Sequence, residues 1–330
     1  MEPLHKKVIQ KYAVNLAGVV AVFLLILLLM GMGVVNNYMT GILIFTGINI
    51  IMAASLNLAT GYLGQLVLGH AGFMAIGAYA AALFALNTEM PDLPTLVGGM
   101  AIGGAVAGLF GILIGIPALR LRGDYLGIVT LGFGEIIRIA LLNLPFTGGA
   151  AGLRRIPKLV NFNILYVAVV LTITFLFLFV RSRHGRAIHS IKEDEIAAES
   201  VGIPTTFYKV YGFAVSAFLA GVGGSLFAFY QSILDPRKFT FMLSVEFFII
   251  VVLGGMGSIT GTILAALLLS FANEFLYSVE NFRLVIYALL LITMMIFKPD
   301  GLLGTREFSL NGLLDRVKTL VGKSFPKSKR

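Results

Sequence analysis

The chain has 330 residues, 58% hydrophobic and 12% charged, with 25 Lys and Arg against 16 Asp and Glu, a formal net charge of +9 and a mean hydropathy of +0.93. A soluble core of this size cannot hide so much apolar surface, so a soluble globular protein is excluded and a polytopic membrane protein is indicated. No cysteine is present, which removes disulfide frameworks and thiolate metal sites, and the absence of tryptophan leaves Tyr and Phe as the interfacial aromatics.

A helical span needs about twenty mostly apolar residues to cross roughly 30 Å of hydrocarbon. On that rule the crossings fall near residues 13–35, 41–60, 66–87, 95–118, 125–144, 162–180 and 210–230. The first follows Lys6, Lys7 and Lys11 and is too long for a signal-peptide core, so it reads as a retained span. The apolar run after Leu243 is too long for one span and is interrupted by Gly254, Gly255 and Gly257. It divides into a short segment before the break and a full helix after it, and a last span covers 284–297. The expected fold is therefore an all-α, polytopic membrane helix bundle of about ten apolar segments with glycine-broken helices.

An even number of crossings puts both ends on one side. The basic start, Arg120, Arg122 and a basic tail over 305–330 place that side in the cytoplasm. The segment 145–161, with Arg154, Arg155 and Lys158, falls outside against the bias. Residues 1–304 then form one membrane domain with a cytoplasmic segment at 181–209. The net positive charge suits inside loops near anionic membrane lipid, and no groove-reading motif accompanies it, so nucleic acid is not a partner.

Two glycine-rich breaks stand out, GYLGQLVLGHAGFMAIGAYAAAL from Gly61 and LGGMGSITGTILAALLL from Leu253. Each sets a glycine-studded turn between a short apolar piece and a helix of small residues, as expected where two related halves contribute broken helices near mid-membrane. Gln65, Gly69, His70, Gly254, Gly255 and Gly257 are the candidate lining of a pathway, and close helix packing is the competing role for the glycines. Glu135 and Arg138, at i and i+3, suit a local ion pair.

The polar island RSRHGRAIHSIKEDEIAAESVGIP, from Arg181 to Pro204, lies between two spans. Ser190 with Glu193 reads as a capping box, and Gly202 with Pro204 as a stop signal, which predicts one short helix of about 15 Å. Ile188, Ile191, Ala198 and Val201 fall near one side of it, with Lys192, Glu193, Asp194, Glu195 and Glu199 around the rest. Such a rod could dock into a partner's groove.

Catalytic motifs are missing. There is no HExxH, no GxSxG and no cysteine nucleophile, and no cofactor or metal site is expected. Gly322-Lys323-Ser324 looks like the end of a phosphate-binding loop, but Val317 stands where that loop requires glycine. If ATP drives this protein, another subunit hydrolyses it.

Taken in order, LNLATGYLGQLVLGHAGFMAIGAYAAAL, ALRLRGDYLGIVTLGFGEIIRIAL, TGGAAGL, the island through GGSLFA, VVLGGMGSITG and FKPDGLLG resemble the LivM-type permease of branched-chain amino acid ABC importers. The resemblance runs from Leu56 to Gly304. It implies a multi-pass subunit of the bacterial cytoplasmic membrane that works with a LivH-type second permease, two ATP-binding subunits and a periplasmic or extracellular substrate-binding protein. It implies that the solute is leucine, isoleucine or valine, while the same architecture also serves urea, short amides and other amino acids. It further implies that Glu193, Asp194, Glu195 and Gly202 belong to the segment through which ATPase motion reaches the permease. A secondary transporter working alone is the alternative, and it would need a coupling acid among Glu135, Glu246 and Glu274.

Overall fold

Among the described residues, ten apolar helices occupy the positions the hydropathy predicts. A computed structural model describes residues 2–119, 121, 123–275, 283–298, 300–304 and 307. Arg120, Arg122, Arg306 and the basic tail from residue 308, on which part of the orientation rests, lie outside the described residues. In chain order the helices are α1 (Glu2–Gly31), α2 (Asn37–Asn57), α3 (His70–Leu86), α4 (Asp92–Ala118), α5 (Asp124–Asn143), α6 (Phe162–Arg181), α7 (Arg183–Glu193), α8 (Glu195–Ser200), α9 (Thr205–Gln231), α10 (Phe241–Gly254), α11 (Ile259–Phe275) and α12 (Arg283–Phe297). Asn37–Tyr62, α4, α5, α6 and α9 are each long and apolar enough to cross a membrane, and α3, α10 and α11 are shorter apolar helices.

The chain divides into two compact units. The smaller holds α1 and the entry to α2, where Asn36 Oδ1 accepts from Met39 N at 2.9 Å. The larger unit is Gly41–Thr305.

At the centre of the larger unit α3, α4 and α9 pack side by side. Small residues allow it. Gly77, Gly103 and Gly221 bring the three backbones together, and a β-carbon at Gly221 would meet the Ala107 methyl at 2.5 Å and Gly104 Cα at 3.0 Å. In lipid, where tails are as apolar as leucine, close backbone approach of this kind replaces hydrophobic burial as the force between helices. Helix α6 turns Val167, Leu171, Phe175 and Leu178 outward, the surface a lipid-facing helix presents. Acidic residues open α4 and α5, where Asp92 and Asp124 sit against the positive end of the helix dipole.

The segments 145–161 and 232–240 share one end of the bundle, joined by paired bonds of 2.9 Å between Leu153 and Leu234. Arg237 donates to Ala150 O at 3.3 Å, and the Lys158 ammonium stands 5.4 Å from the Tyr230 ring centre. Of the charges that run against the orientation rule, Lys158 is thus engaged with the end of α9.

The glycine packing generates a paired test. Gly221→Val should cost several kcal/mol and lower the yield and melting temperature of detergent-purified protein. Gly132→Ala, with no atom within 4 Å of the added carbon, should leave both unchanged or raise stability slightly. Equal effects of the two changes would contradict the close-approach account.

Candidate functional site

The two glycine breaks come together in space. Helix α2 ends in a π-helical turn, Leu58–Tyr62, after which residues 63–69 are non-helical until α3 begins at His70. Helix α10 stops at Gly254, and α11 restarts at Ile259. Asn57, fully buried, joins the two sites. Its Nδ2 donates to Ser258 O at 3.0 Å and Thr262 Oγ1 at 2.8 Å, while its Oδ1 accepts from Gly257 N at 2.9 Å. One amide side chain at the first break therefore supplies the acceptor for Gly257 N and braces the start of α11, where Ser258 O also accepts from Thr262 N at 3.2 Å. Gly61 lies against Asn57 and Gly257 with no room for a side chain.

Other groups at the breaks are paired as well. Leu302 N and Leu303 N, in the FKPDGLLG segment, donate to Leu253 O at 2.8 Å and Gly254 O at 3.4 Å, closing the C-terminus of α10. Gly255 makes that approach possible, with φ of +111° and a would-be β-carbon 2.5 Å from Gly304 O. Ser258 Oγ accepts from Gly261 N at 3.0 Å and starts α11. At the first break Thr130 Oγ1 accepts from Leu68 N at 3.1 Å, and Ser244 Oγ from Ala71 N at 2.9 Å.

The polar candidates of the first break have different surroundings. Gln65 is half-buried, its N–H bonded to Ala59 O at 3.0 Å. His70 is buried, with Nε2 2.8 Å from Ser55 Oγ, and Ser55 O accepts from Ser216 Oγ at 2.6 Å. Gly69 lies against Thr130 and borders a small cleft of about 160 Å³ together with Ala71, Glu135, Thr240 and Ser244. Glu135 forms the ion pair its spacing predicts, at 2.7 Å from Arg138 Nε, and also accepts from Phe241 N at 3.2 Å at the start of α10.

The polar island departs from the one-helix expectation. It forms two helices, α7 and α8, because Asp194 leaves helical geometry (φ −155°, ψ 110°) and its carboxylate accepts from Ile196 N at 2.9 Å and Ala197 N at 3.0 Å. The capping box at Ser190 and Glu193 is not formed. Ser190 lies inside α7 with its hydroxyl bonded to Ala187 O at 2.8 Å, and Ser182 caps that helix by accepting from Gly185 N at 3.2 Å. Aspartate captures two amides at the second helix start, where Ser190 would have captured one.

The stop signal forms as the sequence suggests. Gly202 has φ of +84°, Gly202 N donates to Glu199 O at 2.9 Å and Ile203 N to Ala198 O at 3.1 Å, the paired bonds of a Schellman turn. Ile188, Ile191 and Ala198 are buried, but Val201 is 76% exposed because that turn carries it outward. Ile196, at 75%, and Phe207, at 57%, are exposed near it.

The island rests on the junction of the breaks instead of lying apart from it. Ile188 of α7 packs in one core with Leu58 and Leu63 of the first break and Ile259 of the second. Lys192 covers both breaks, so that a β-carbon at Gly64 would meet its Cγ at 3.1 Å and one at Gly257 its Nζ at 3.8 Å. The breaks therefore abut the polar end of the bundle rather than its middle. Lys209, buried on α9, donates to Glu195 Oε1 at 2.6 Å and ties α8 down. Glu193 faces water, 3.8 Å from His189 Nε2.

Asn57, Lys192 and Lys209 were outside the candidate set the sequence suggested. An asparagine inside an apolar span, four residues before the glycine break, was the available signal for Asn57. Lys209 could have been found as a cation one helical turn into the span that follows the acidic island.

The family described as "Branched-chain amino acid transport system / permease component" matches residues 38–294. The chain belongs to this permease family. The permease is 40% identical over 293 residues to the protein named high-affinity branched-chain amino acid transport system permease protein LivM of Salmonella typhimurium, covering 78% of this chain and 68% of that one. The LivM protein of Escherichia coli matches with the same identity and coverage. The Escherichia coli permease protein LivH is 31% identical over 147 residues, 44% of this chain and 47% of its own. No solved structure matches the permease. Family membership and the several apolar helices together make it a multi-pass membrane protein.

The tether on α8 is testable by itself. Lys209→Ala leaves Glu195 without its short charged bond and should cost about 1–3 kcal/mol locally. Limited proteolysis of the purified permease should then cut within 194–204 faster than in the wild type, with the other loops unchanged. Unaltered cleavage would show that the pair does not hold α8.

Proposed function

We propose that the permease is one of two membrane subunits of an ATP-driven importer of branched-chain amino acids fed by a substrate-binding protein. The observation that carries this reading is the match along 78% of the chain to relatives named for that transport. Similarity to LivH proteins over part of the chain supports a second permease of related fold as the partner. The solute passage would lie between the two subunits, both chain ends would face the cytoplasm of a bacterial inner membrane, and two separate subunits would hydrolyse ATP.

On this reading α7 and α8 are the contact for the ATP-binding subunits. Support comes from the exposed apolar side chains Ile196 and Val201 on a short capped rod and Phe207 at the start of α9, which suit a groove in a soluble partner better than they suit water. Asp194 and Gly202 would fix the rod's two ends, Glu195 would hold it to α9, and Glu193 would remain at the surface. Movement of the rod would be felt at Lys192 and Ile188, and through them at both breaks. Gly254, Gly255 and Gly257 would then form a hinge at one end of α10. Gly69, with Gln65 and His70 close by in sequence, would border the passage beside its other end. Nucleotide-driven closure of the ATPase pair and docking of the binding protein would favour different states of that hinge.

Reconstitution tests the reading. The permease, a LivH-type partner, the two ATP-binding subunits and the binding protein in liposomes should accumulate labelled leucine only when ATP is supplied. Unlabelled isoleucine and valine should compete, and urea, short amides and other amino acids should not. Leucine uptake by the permease alone under an ion gradient would favour a secondary transporter. Gly202→Val, where no neighbouring atom lies within 4 Å and only the positive φ opposes the change, should strain the rod's end by about 1 kcal/mol or more. Solute-stimulated ATPase activity should fall roughly fivefold while assembly persists, and Gly202→Asn should largely restore it. Normal stimulation in the valine variant would remove the island from the coupling path.

A further inference from the structure

We propose that Arg138, paired with Glu135, takes the carboxylate of the transported solute on a face of α5 that the second permease covers. The proposal rests on the importer reading and deepens it by giving the passage a polar contact point.

Charge at the depth of this pair needs a reason. The fourteen residues of α10 cover about 21 Å of a hydrocarbon layer of roughly 30 Å. Their far end lies against the polar island, so the start of α10 at Phe241, whose N–H Glu135 accepts, is sunk on the order of 10 Å below the opposite surface. Counting along α5 gives a similar depth, since Glu135 precedes the helix end at Asn143 by about 12 Å. Arg138, one turn nearer that surface, could raise its guanidinium toward the headgroups, as long cations near a helix end commonly do. It bends the other way, down to Glu135, with Nε 2.7 Å from Oε2.

That bond uses one donor of the five. Neither Nη group of Arg138 makes a hydrogen bond among the described residues, and the side chain is 24% accessible beside 31% for Glu135. The neighbouring surface is apolar, with Ile136 and Ile139 exposed. Lipid tails offer nothing to these N–H groups, so something polar must meet them once the chain is in a membrane.

A zwitterion fits better than a fixed acid. The pair is neutral by itself, which lets the site stand empty, whereas a carboxylate of the partner permease would add net negative charge where water is scarce. An amino acid brings both signs. Its carboxylate can take the two Nη groups in the planar fork that a guanidinium offers, and its ammonium can approach the accessible Glu135 carboxylate. Ile139, one turn from Glu135 on the same face, offers hydrocarbon to a branched side chain. Competition from the Arg138 to Glu135 bond keeps the affinity modest, which suits a contact that must release what it holds. Because Glu135 also holds Phe241 N, an arriving ammonium bears on the start of the helix that ends in the Gly254 turn.

The reconstituted importer tests this, with uptake counted per intact complex recovered from the membrane. Arg138→Lys keeps the charge and a bond to Glu135 but removes the fork. It should assemble normally, lower maximal leucine uptake about tenfold or more, and leave half-saturation by loaded binding protein unchanged, because docking occurs elsewhere. Glu135→Gln combined with Arg138→Gln removes both charges together and should show the same loss. Normal uptake in either complex would make the pair a structural tie and overturn the proposal. The natural absence of cysteine allows an independent reading. Arg138→Cys in the complex should react with water-borne methanethiosulfonate ethylammonium, more slowly while leucine is being transported, and Leu171→Cys on the outward face of α6 should not react. An unreactive Arg138→Cys complex would mean that the partner seals the site, and would equally overturn it, as would a rate of reaction that transport leaves unchanged. Failure of the unsubstituted complex to move any amino acid would strike the importer reading and the site with it; normal transport by the Arg138→Lys complex would strike the site alone.

Discussion

Backbone that leaves helical geometry inside an apolar bundle must have its hydrogen bonds supplied by something other than water, and the rest of this molecule is arranged around that requirement. Asn57 meets it at the centre, binding one N–H, one carbonyl and one hydroxyl of the opposite break. Ser258 O and the Thr262 hydroxyl also bond within α11, so the group that depends on Asn57 is Gly257 N, which left bare would cost about 1–3 kcal/mol. The FKPDGLLG segment closes the end of α10, while Thr130 and Ser244 serve the first break. Both breaks are thereby built into a junction with two-sided support, the kind of element that holds more than one discrete arrangement more readily than a continuous helix does.

The island's position follows from the same junction. Ile188 shares a core with Leu58, Leu63 and Ile259, and Lys192 lies across the glycines of both breaks, so the water-side segment and the broken helices form one packed body. Interiors packed this closely pass on displacements instead of absorbing them. A short rod tied by Asp194 at one end, by Gly202 at the other and by the Lys209 to Glu195 bond along its side has little freedom to bend independently. That rigidity is what the proposed coupling role would require.

Much of this architecture was legible in the sequence because hydropathy at membrane scale is a strong signal. Helices α2, α4, α5, α6 and α9 begin and end within a few residues of the apolar runs, and the interruption at Gly254 to Gly257 was visible as three glycines in a run too long for one span. The Glu135 and Arg138 pair followed from spacing on one helix. The capping of the island did not, since Ser190, Asp194 and Ser182 are all competent caps and only the tertiary position of Ile188 and Ile191 selects among them. Asn57 was hidden for a related reason. A single polar residue in an apolar span advertises that it has a partner, but which partner depends on contacts about two hundred residues away in the chain, such as Asn57 with Gly257.

Hydrogen exchange at the second break tests the central claim most directly. In the intact importer the amides across residues 255–262 should be strongly protected despite lying in a glycine turn. Asn57→Leu should release them while α4 and α9 keep their protection. Rapid exchange over 255–262 in the unsubstituted protein, or protection there that survives loss of the asparagine amide, would contradict the claim that Asn57 holds the two breaks together.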